Sequence, residues 1–348
     1  MRIAITYNAD THLKPHLNPV ERLCEDDVAV TARDVLAALE PAHDCELIAV
    51  GDCTLSALQA VRESCPDLVV NLCESVRGHA RGEAHFAHAL DLLGLPSCGC
   101  DAVTLALCQD KGIVKRLLRQ AGIPTPPGFS LDPTCPQDQV DRELAGLLAH
   151  AGRVIVKPAR EDGGLGIDCD SVVSDLPAAR ARVRALWARF AQPALVEAYV
   201  TGPEYNLGLY QGPRGLVDLP PGAVVFNPDV DAARHVVGYR HKWDSASQEY
   251  NSFDVHVAAA LDPAVHAELV STCARAVATL GGAGYYRFDA RQGADGRIHV
   301  LDVNPHPDIG PDSGFRRALA AAGIAFTAFL EDLFAARLGR SATWRSAA

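Results

Sequence analysis

Tyr285–Asn304 reads YYRFDARQGADGRIHVLDVN, and this stretch decides the fold. Tyr285 to Ala290 is a short run of aromatic and β-type residues. Gly293-Ala-Asp-Gly296 is a turn, and Ile298 to Val303 is apolar and β-branched. Together they predict an antiparallel hairpin. Asp302-Val-Asn304 follows Asp289 by thirteen residues, so the hairpin aligns Asp289, Asp302 and Asn304 at one end. Two carboxylates and an amide oxygen are hard ligands that suit Mg²⁺, which keeps sites open for substrate phosphates. A solvated hairpin with an acidic turn would read the same in isolation. The surrounding chain has to decide between the two.

The chain has 348 residues, too many for one ordinary core, so two or three domains are expected. Net charge is −11, which disfavours attraction to a nucleic-acid backbone. Only five of the 32 basic residues are lysines: Lys14, Lys111, Lys115, Lys157 and Lys242. That scarcity makes each worth inspecting. The eleven cysteines have no zinc-type spacing, Cys98-Gly-Cys100 being the one close pair. They read as small buried hydrophobes in a reducing compartment. A strand-like segment begins at Arg2 with no signal peptide before it, and no apolar run approaches the ~20 residues a bilayer span needs. A cytoplasmic protein with no membrane partner is expected.

The first hundred residues alternate strand and helix. Strands are predicted at Ile3–Tyr7, Cys45–Gly51 and Leu68–Leu72, and helices at Asp26–Leu39, Leu55–Ser64 and Glu83–Leu93. Alternation of this kind implies a parallel sheet covered by helices, with ligands at the carboxyl ends of its strands. A second unit starts near Thr104. It contains a helix from Asp110 to Gln120, a strand Val154–Pro158 ending on Lys157, a helix Pro177–Ala191 and a strand Ala194–Tyr199. Pro133 to Gln139 reads as a polar surface loop. Tyr205–Tyr210 and Gly222–Phe226 look like strands of a third unit, followed by a helix from His266, the hairpin, and a helical tail broken near Gly323.

Lys157 precedes Glu161-Asp-Gly163-Gly164-Leu-Gly166. A lysine at a strand end followed by a glycine turn surrounds an anion with one cation and several free N–H groups. Polyphosphate is the natural ligand, although a plain surface loop uses the same glycines. The order is not that of a P-loop, because the lysine comes before the glycines. Glu197 and Glu204 bracket a strand end. Backbone groups there can meet an adenine edge, and a carboxylate a few residues on can meet ribose hydroxyls.

These residues, taken in order, resemble the ATP-grasp enzymes, and among them the D-alanine–D-alanine ligases. The resemblance is carried by Asp110-Lys111, Gly122-Ile-Pro-Thr-Pro, Val154-Ile-Val-Lys157 with its glycine turn, Glu197, Glu204, Arg287, Asp289, Asp302 and Asn304. It implies an α/β fold of three domains. These are an N-terminal Rossmann-like parallel sheet (residues 1–103), a central α+β lid for ATP (104–201) and a C-terminal α+β ATP-grasp domain with the metal site (202–348). It implies that Lys111, Lys157 and Lys242 contact phosphates, and that the turn at Glu161, Gly163 and Gly164 closes over them. By the same resemblance Glu197, Ala198 and Val200 would frame adenine, and Glu204 would hold ribose. The resemblance further implies that Asp289, Asp302 and Asn304 bind two Mg²⁺ ions, for which Mn²⁺ is a natural substitute. Arg287 resembles the arginine that stabilises an oxyanion during acyl transfer. The implied reaction is an ATP-dependent ligation of small-molecule carboxylate and amine substrates through an acyl phosphate, and the implied assembly is a homodimer.

The chain also departs from the ligase pattern. Gly163 and Trp243 stand where the ligases carry a serine and a tyrosine. The N-terminal glutamate of the ligases corresponds to Glu21 or Glu25. Ser313 follows Asn304 by nine residues, as in the ligases, but Asp308 replaces a glycine of the acceptor loop. A carboxylate there would repel an acceptor carboxylate. His306 and Asp308 are candidates for contacts near the acceptor amine, and Glu74, Arg81 and Glu83 for contacts with the donor. Helix capping is the plain alternative for Glu83. The expectation is an amide or peptide ligase acting on substrates other than D-alanine, of the kind found in natural-product biosynthesis. The alternatives are D-alanine–D-alanine ligation itself, phosphotransfer, and nucleotide binding without catalysis.

Overall fold

The computed structural model describes residues 1–9, 23–230, 235–244, 247–257 and 260–345. Lys14 and Glu21 lie outside them, and so does the side chain of Glu25.

The N-terminal unit runs β1 (Arg2–Asn8), α1 (Leu23–Leu39), β2 (Asp44–Val50), α2 (Thr54–Glu63), β3 (Leu68–Leu72), α3 (Gly82–Leu92) and β4 (Ser97–Cys98). The strands form a parallel sheet in the order β2-β1-β3-β4. Every residue of β3 is buried, as a strand covered on both faces requires. One face packs with Tyr285, Phe315 and Phe329 of the C-terminal unit, so the two share a core. An ion pair between Asp34 and Arg316, 2.6 Å long, fastens α1 to that unit.

Two helices follow, α4 (Ala102–Cys108) and α5 (Lys111–Gln120). Asp110 caps α5 by accepting from the Ile113 N–H. Both helices pack into the core of the C-terminal sheet.

The central unit, expected to be the lid, consists of β5 (Gly128–Leu131), α6 (Gln137–Ala151), β6 (Val154–Pro158), β7 (Val172–Val173), α7 (Leu176–Phe190) and β8 (Ala194–Ala198). Its antiparallel sheet has the order β5-β8-β6-β7. The loop expected over 133–139 gives way to α6 at Gln137. Val140, Leu144 and Leu147 form the buried stripe that stabilises this helix.

The C-terminal unit contains β9 (Glu204–Gly212), β10 (Gly215–Asp218), β11 (Gly222–Phe226), α8 (Tyr239–Trp243), β12 (Phe253–Val257), α9 (Pro263–Leu280), β13 (Tyr285–Gln292), β14 (Ile298–Asn304), α10 (Gly314–Ala321) and α11 (Phe326–Arg345). The sheet order is β12-β11-β9-β13-β14, with β10 on β9. The expected hairpin is β13–β14, and the tail breaks between α10 and α11, where Gly323 has φ +69°. No single helix among the described residues is long and apolar enough to cross a membrane.

Candidate active site

The hairpin sets the site. Asp289 pairs directly with Asp302, and Arg287 with Asn304, across the antiparallel ladder. Asp289 Oδ1 accepts from Asn206 at 2.8 Å and from Arg287 Nε at 3.1 Å. Asp302 Oδ2 lies 3.3 Å from Lys111 Nζ. Burial would raise the Asp302 pKa, but Lys111, Lys157 and Lys115 outweigh it and hold the carboxyl well below its usual range. Asn304 Oδ1 accepts from the His306 N–H at 2.9 Å, which fixes the amide and leaves a lone pair on its oxygen. Two carboxylates and an amide oxygen on neighbouring strands fit Mg²⁺, which completes its shell with phosphates and water.

Four lysines approach this hairpin. Lys111 and Lys115 lie one turn apart on the buried face of α5. Lys111 Nζ sits 2.7 Å from Asp162 of the glycine turn as well as near Asp302. Burial alone would lower its pKa, but the two carboxylates hold it above the ordinary lysine value. Lys157 Nζ lies 3.0 Å from Glu197 Oε2 and donates to the Leu301 carbonyl at 3.3 Å. Lys115 Nζ lies 2.8 Å from Glu197 Oε1 and donates to the Val300 carbonyl at 2.8 Å. The carboxylate of Glu197 is therefore enclosed by two ammonium groups. Lys242, on α8, has its pKa lowered by burial and then by Arg287.

The glycine turn and the Lys242 segment pack together. Tyr239 N donates to the Ile167 carbonyl at 3.3 Å, and a Cβ on Gly164 would come within 2.9 Å of the Gly238 carbonyl carbon. Glu161 accepts from Gln192 at 2.6 Å rather than facing the cleft alone. Gly163 has φ +64°, which favours glycine at that point of the turn.

On the far side of the cleft, Ala198 N donates to the Pro127 carbonyl at 2.8 Å and continues the lid sheet. The Val200 carbonyl accepts from Arg291 at 2.9 Å. Glu204 pairs with Arg291 at 2.7 Å, so one of its oxygens is engaged. Arg291, like Lys115, has a place in the site that sequence reasoning missed. Its signal is an arginine two residues past Asp289, where strand alternation puts both side chains on one face.

Two cavities flank the hairpin, of about 1240 Å³ and 830 Å³, and both are lined by Lys242, Arg287 and Asp308. The larger reaches Glu74, Arg81, Glu83 and His306, and the smaller reaches Ser313 and Glu204. Glu83 stands in the first turn of α3, where a carboxylate is favoured, and it is buried rather than facing solvent. Its Oε1 lies 2.7 Å from His306 Nδ1. Burial lowers the His306 pKa, but the hydrogen bond and charge of Glu83 hold it above the usual imidazole value. Glu74 and Arg81 are exposed at the cavity wall. Asp308 Oδ1 accepts from the Gly310 N–H at 2.7 Å, and Ser313 caps α10 by accepting from Arg316 N. Trp243 ends α8, and its side chain lies outside the described residues.

A four-stranded antiparallel sheet whose buried lysine meets a larger sheet carrying paired acidic residues defines the ATP-grasp class. Residues 117–335 match the family described as D-ala D-ala ligase C-terminus, and the chain belongs to that family. It is 33% identical over 267 residues to a D-alanine–D-alanine ligase of Halorhodospira halophila, covering 76% of this chain and 77% of that one. A D-alanine–D-alanine ligase of Idiomarina loihiensis is 29% identical over 264 residues, covering 75% and 79%. The fold matches the crystal structure of the Bacillus anthracis D-alanine–D-alanine ligase complexed with ATP, with a TM-score of 0.72 at 19% identity over 97% of each chain. It matches the D-alanyl-alanine synthetase A of Vibrio cholerae with a TM-score of 0.71 at 20% identity, over 97% of this chain and 98% of that one.

Proposed function

We propose that this chain is an ATP-dependent ligase joining the carboxyl group of one amino acid to the amino group of another, with D-alanine favoured at both positions. The observation that carries this reading is the paired register of Arg287, Asp289, Asp302 and Asn304 where two cavities meet. The relatives' names support D-alanine more than the different substrate pair expected from the acceptor loop.

The donor carboxylate attacks the γ-phosphorus of ATP, ADP leaves, and an acyl phosphate forms. The acceptor nitrogen then attacks the acyl carbon, phosphate leaves, and the amine proton passes to solvent or phosphate. Asp289, Asp302 and Asn304 would hold two Mg²⁺ ions, which offset phosphate charge when bound. Lys111, Lys157 and Lys242 supply fixed positive charge for the triphosphate, with the backbone of Glu197, Ala198 and Val200 and the carboxylate of Glu204 along the nucleoside. Arg287 faces the charge that develops on the acyl oxygen. The contact between the glycine turn and the Lys242 segment keeps water from the acyl phosphate.

A second reading keeps the reaction and changes the substrates to another amino-acid or peptide-like pair. Asp308 supports it, because a carboxylate lining both cavities disfavours an acceptor that brings its own carboxylate. The test is phosphate release from ATP with D-alanine and with a panel of other amino acids, products being identified by mass spectrometry. D-Alanyl-D-alanine would support the first reading, and another amide the second. A stable phosphorylated product, or no ADP with any pair, would overturn both.

A further inference from the structure

Lys115 is 2% exposed, and its ammonium group is turned to Glu197 and to the Val300 carbonyl. It nevertheless keeps a charge in the core. Its ammonium group sits 2.8 Å from Glu197 Oε1, while Lys157 sits 3.0 Å from Glu197 Oε2. Both lysines also donate to consecutive carbonyls of β14, Val300 and Leu301, immediately before Asp302. Glu197 is itself 2% exposed. A carboxylate that deep is tolerated only while paired, and stripping its partner away is strongly disfavoured.

This arrangement bears on how Lys157 is used. Phosphate binding requires the Lys157 ammonium to turn at least partly away from Glu197. With Lys157 as sole partner, that movement would strand a buried carboxylate, and the cost would appear as weaker nucleotide binding. We propose that Lys115 is the standing counterion of Glu197, freeing Lys157 to engage the triphosphate without leaving that carboxylate unpaired. Lys115 is thus a positioning residue of the nucleotide site, acting through Glu197 and Lys157. The inference rests on the reading of the chain as an ATP-dependent enzyme. The charged groups facing Lys115 are Glu197 on β8, Lys157 on β6 and Asp302 on β14. Burial pulls the Lys115 pKa down to about 8 against the attraction of Glu197, so its charge can be removed by pH as well as by mutation.

The test is the dissociation constant of MgATP, measured by calorimetry on the full chain together with its thermal unfolding. Lys115→Met should weaken binding about tenfold, the factor set by a mid-range coupling within one ion-pair network. Glu197→Gln in the same chain should restore most of that loss, because a neutral amide needs no counterion. Wild-type affinity should also fall as pH rises through about 8, and the fall should be shallower in Lys115→Met, where Lys242, whose pKa burial also lowers, still titrates. Unchanged affinity in Lys115→Met overturns the inference. If that variant does not fold, Lys115→Met/Glu197→Gln is compared with Glu197→Gln alone, and weaker binding by the double variant overturns it. A purely structural clamp would lower thermal stability and give no rescue. Wild-type protein that fails to bind ATP refutes the ATP-dependent reading instead, and the inference with it.

Discussion

Asp289 and Asp302 stand directly opposite one another on β13 and β14, and each is already held by a cation, Arg287 in one case and Lys111 in the other. Each carboxylate therefore has its charge partly offset by a neighbouring cation. Mg²⁺ alone has to displace or share these partners, whereas Mg²⁺ with a triphosphate gives Lys111 and Arg287 new anions to meet. Magnesium should bind weakly to the free protein and much more tightly with ATP. Calorimetric titration with and without nucleotide checks this, and equal affinity in both would contradict it. Asp302→Ala should lower ADP formation by about 10²–10³-fold, the scale on which loss of one charge-stabilising group acts.

Gly164 lies in the left-handed region at φ +83°, and a Cβ there would come within 2.9 Å of Gly238 C and 3.0 Å of Tyr239 N. Gly164→Ala should cost about 1–2 kcal/mol from backbone strain. It should also push the glycine turn off the segment carrying Lys242, so kcat should drop at least tenfold. Gly296→Ala is the control, since its φ of +76° carries similar strain with nothing within 4 Å. It should lower thermal stability and leave kcat intact. Equal kcat losses in both variants would show that strain alone is responsible.

The longer apolar strands and the hairpin were legible because their signals are local: apolar runs, turn glycines, and a lysine at a strand end; the short strands β4, β5, β7, β10 and β12 carry too little of such signal and were not read. Lys157, Asp289 and Asp302 could be picked out for the same reason, and Lys111 by the scarcity of lysine and by the family resemblance. The pairings were not. Glu83 meets His306 across 223 positions, and Arg291 meets Glu204 across 87. Such contacts depend on how whole units dock, which no short pattern encodes. Lys115 differs again. Its residue type stood out by scarcity, yet only the docking of α5 against β14 and β8 shows what it holds. The helix α6 was missed because the polar 133–139 segment masked the start of a regular apolar stripe.

Arg291 joins three elements, pairing with Glu204 and donating to the carbonyls of Val200 and His235. Burial lowers its pKa, yet Glu204 keeps the guanidinium above its ordinary value. Arg291→Met leaves Glu204 without its partner and two carbonyls without a donor. It should cost about 3–5 kcal/mol, the usual range for breaking a buried pair from one side. Chemical denaturation measures this. A loss below 1 kcal/mol would mean that Glu204 is solvated rather than held.

Asp308 occupies a position where its charge meets both cavities, and its Oδ1 also ties down the Gly310 N–H. Asp308→Gly removes the charge and the tie together, whereas Asp308→Asn removes the charge and can keep the tie. Both variants should lower KM for an acceptor amino acid bearing a free carboxylate, by roughly three- to tenfold if one screened charge is relieved. An unchanged acceptor profile in both would assign Asp308 to loop geometry alone.

Lys115 also makes a prediction about stability, opposite in sign to its effect on ATP. An unfolded lysine titrates near ~10.4, and Lys115 in the fold titrates at about 8. Between these values the unfolded chain holds a proton that the folded chain has released, so this residue makes stability rise with pH. Below the window both states carry the proton and the contribution is constant. Glu197 and Asp302 stay ionised throughout, because burial, which would raise both, is outweighed by the lysines. The difference in unfolding free energy between wild type and Lys115→Met should therefore climb from pH 8 toward pH 10, with a slope no steeper than about 1.4 kcal/mol per pH unit. ATP affinity should decline over the same interval, since the neutral amine no longer balances Glu197. A stability difference that falls with pH would mean that the ion pair with Glu197 outweighs burial, and would place the titration of Lys115 above the lysine norm.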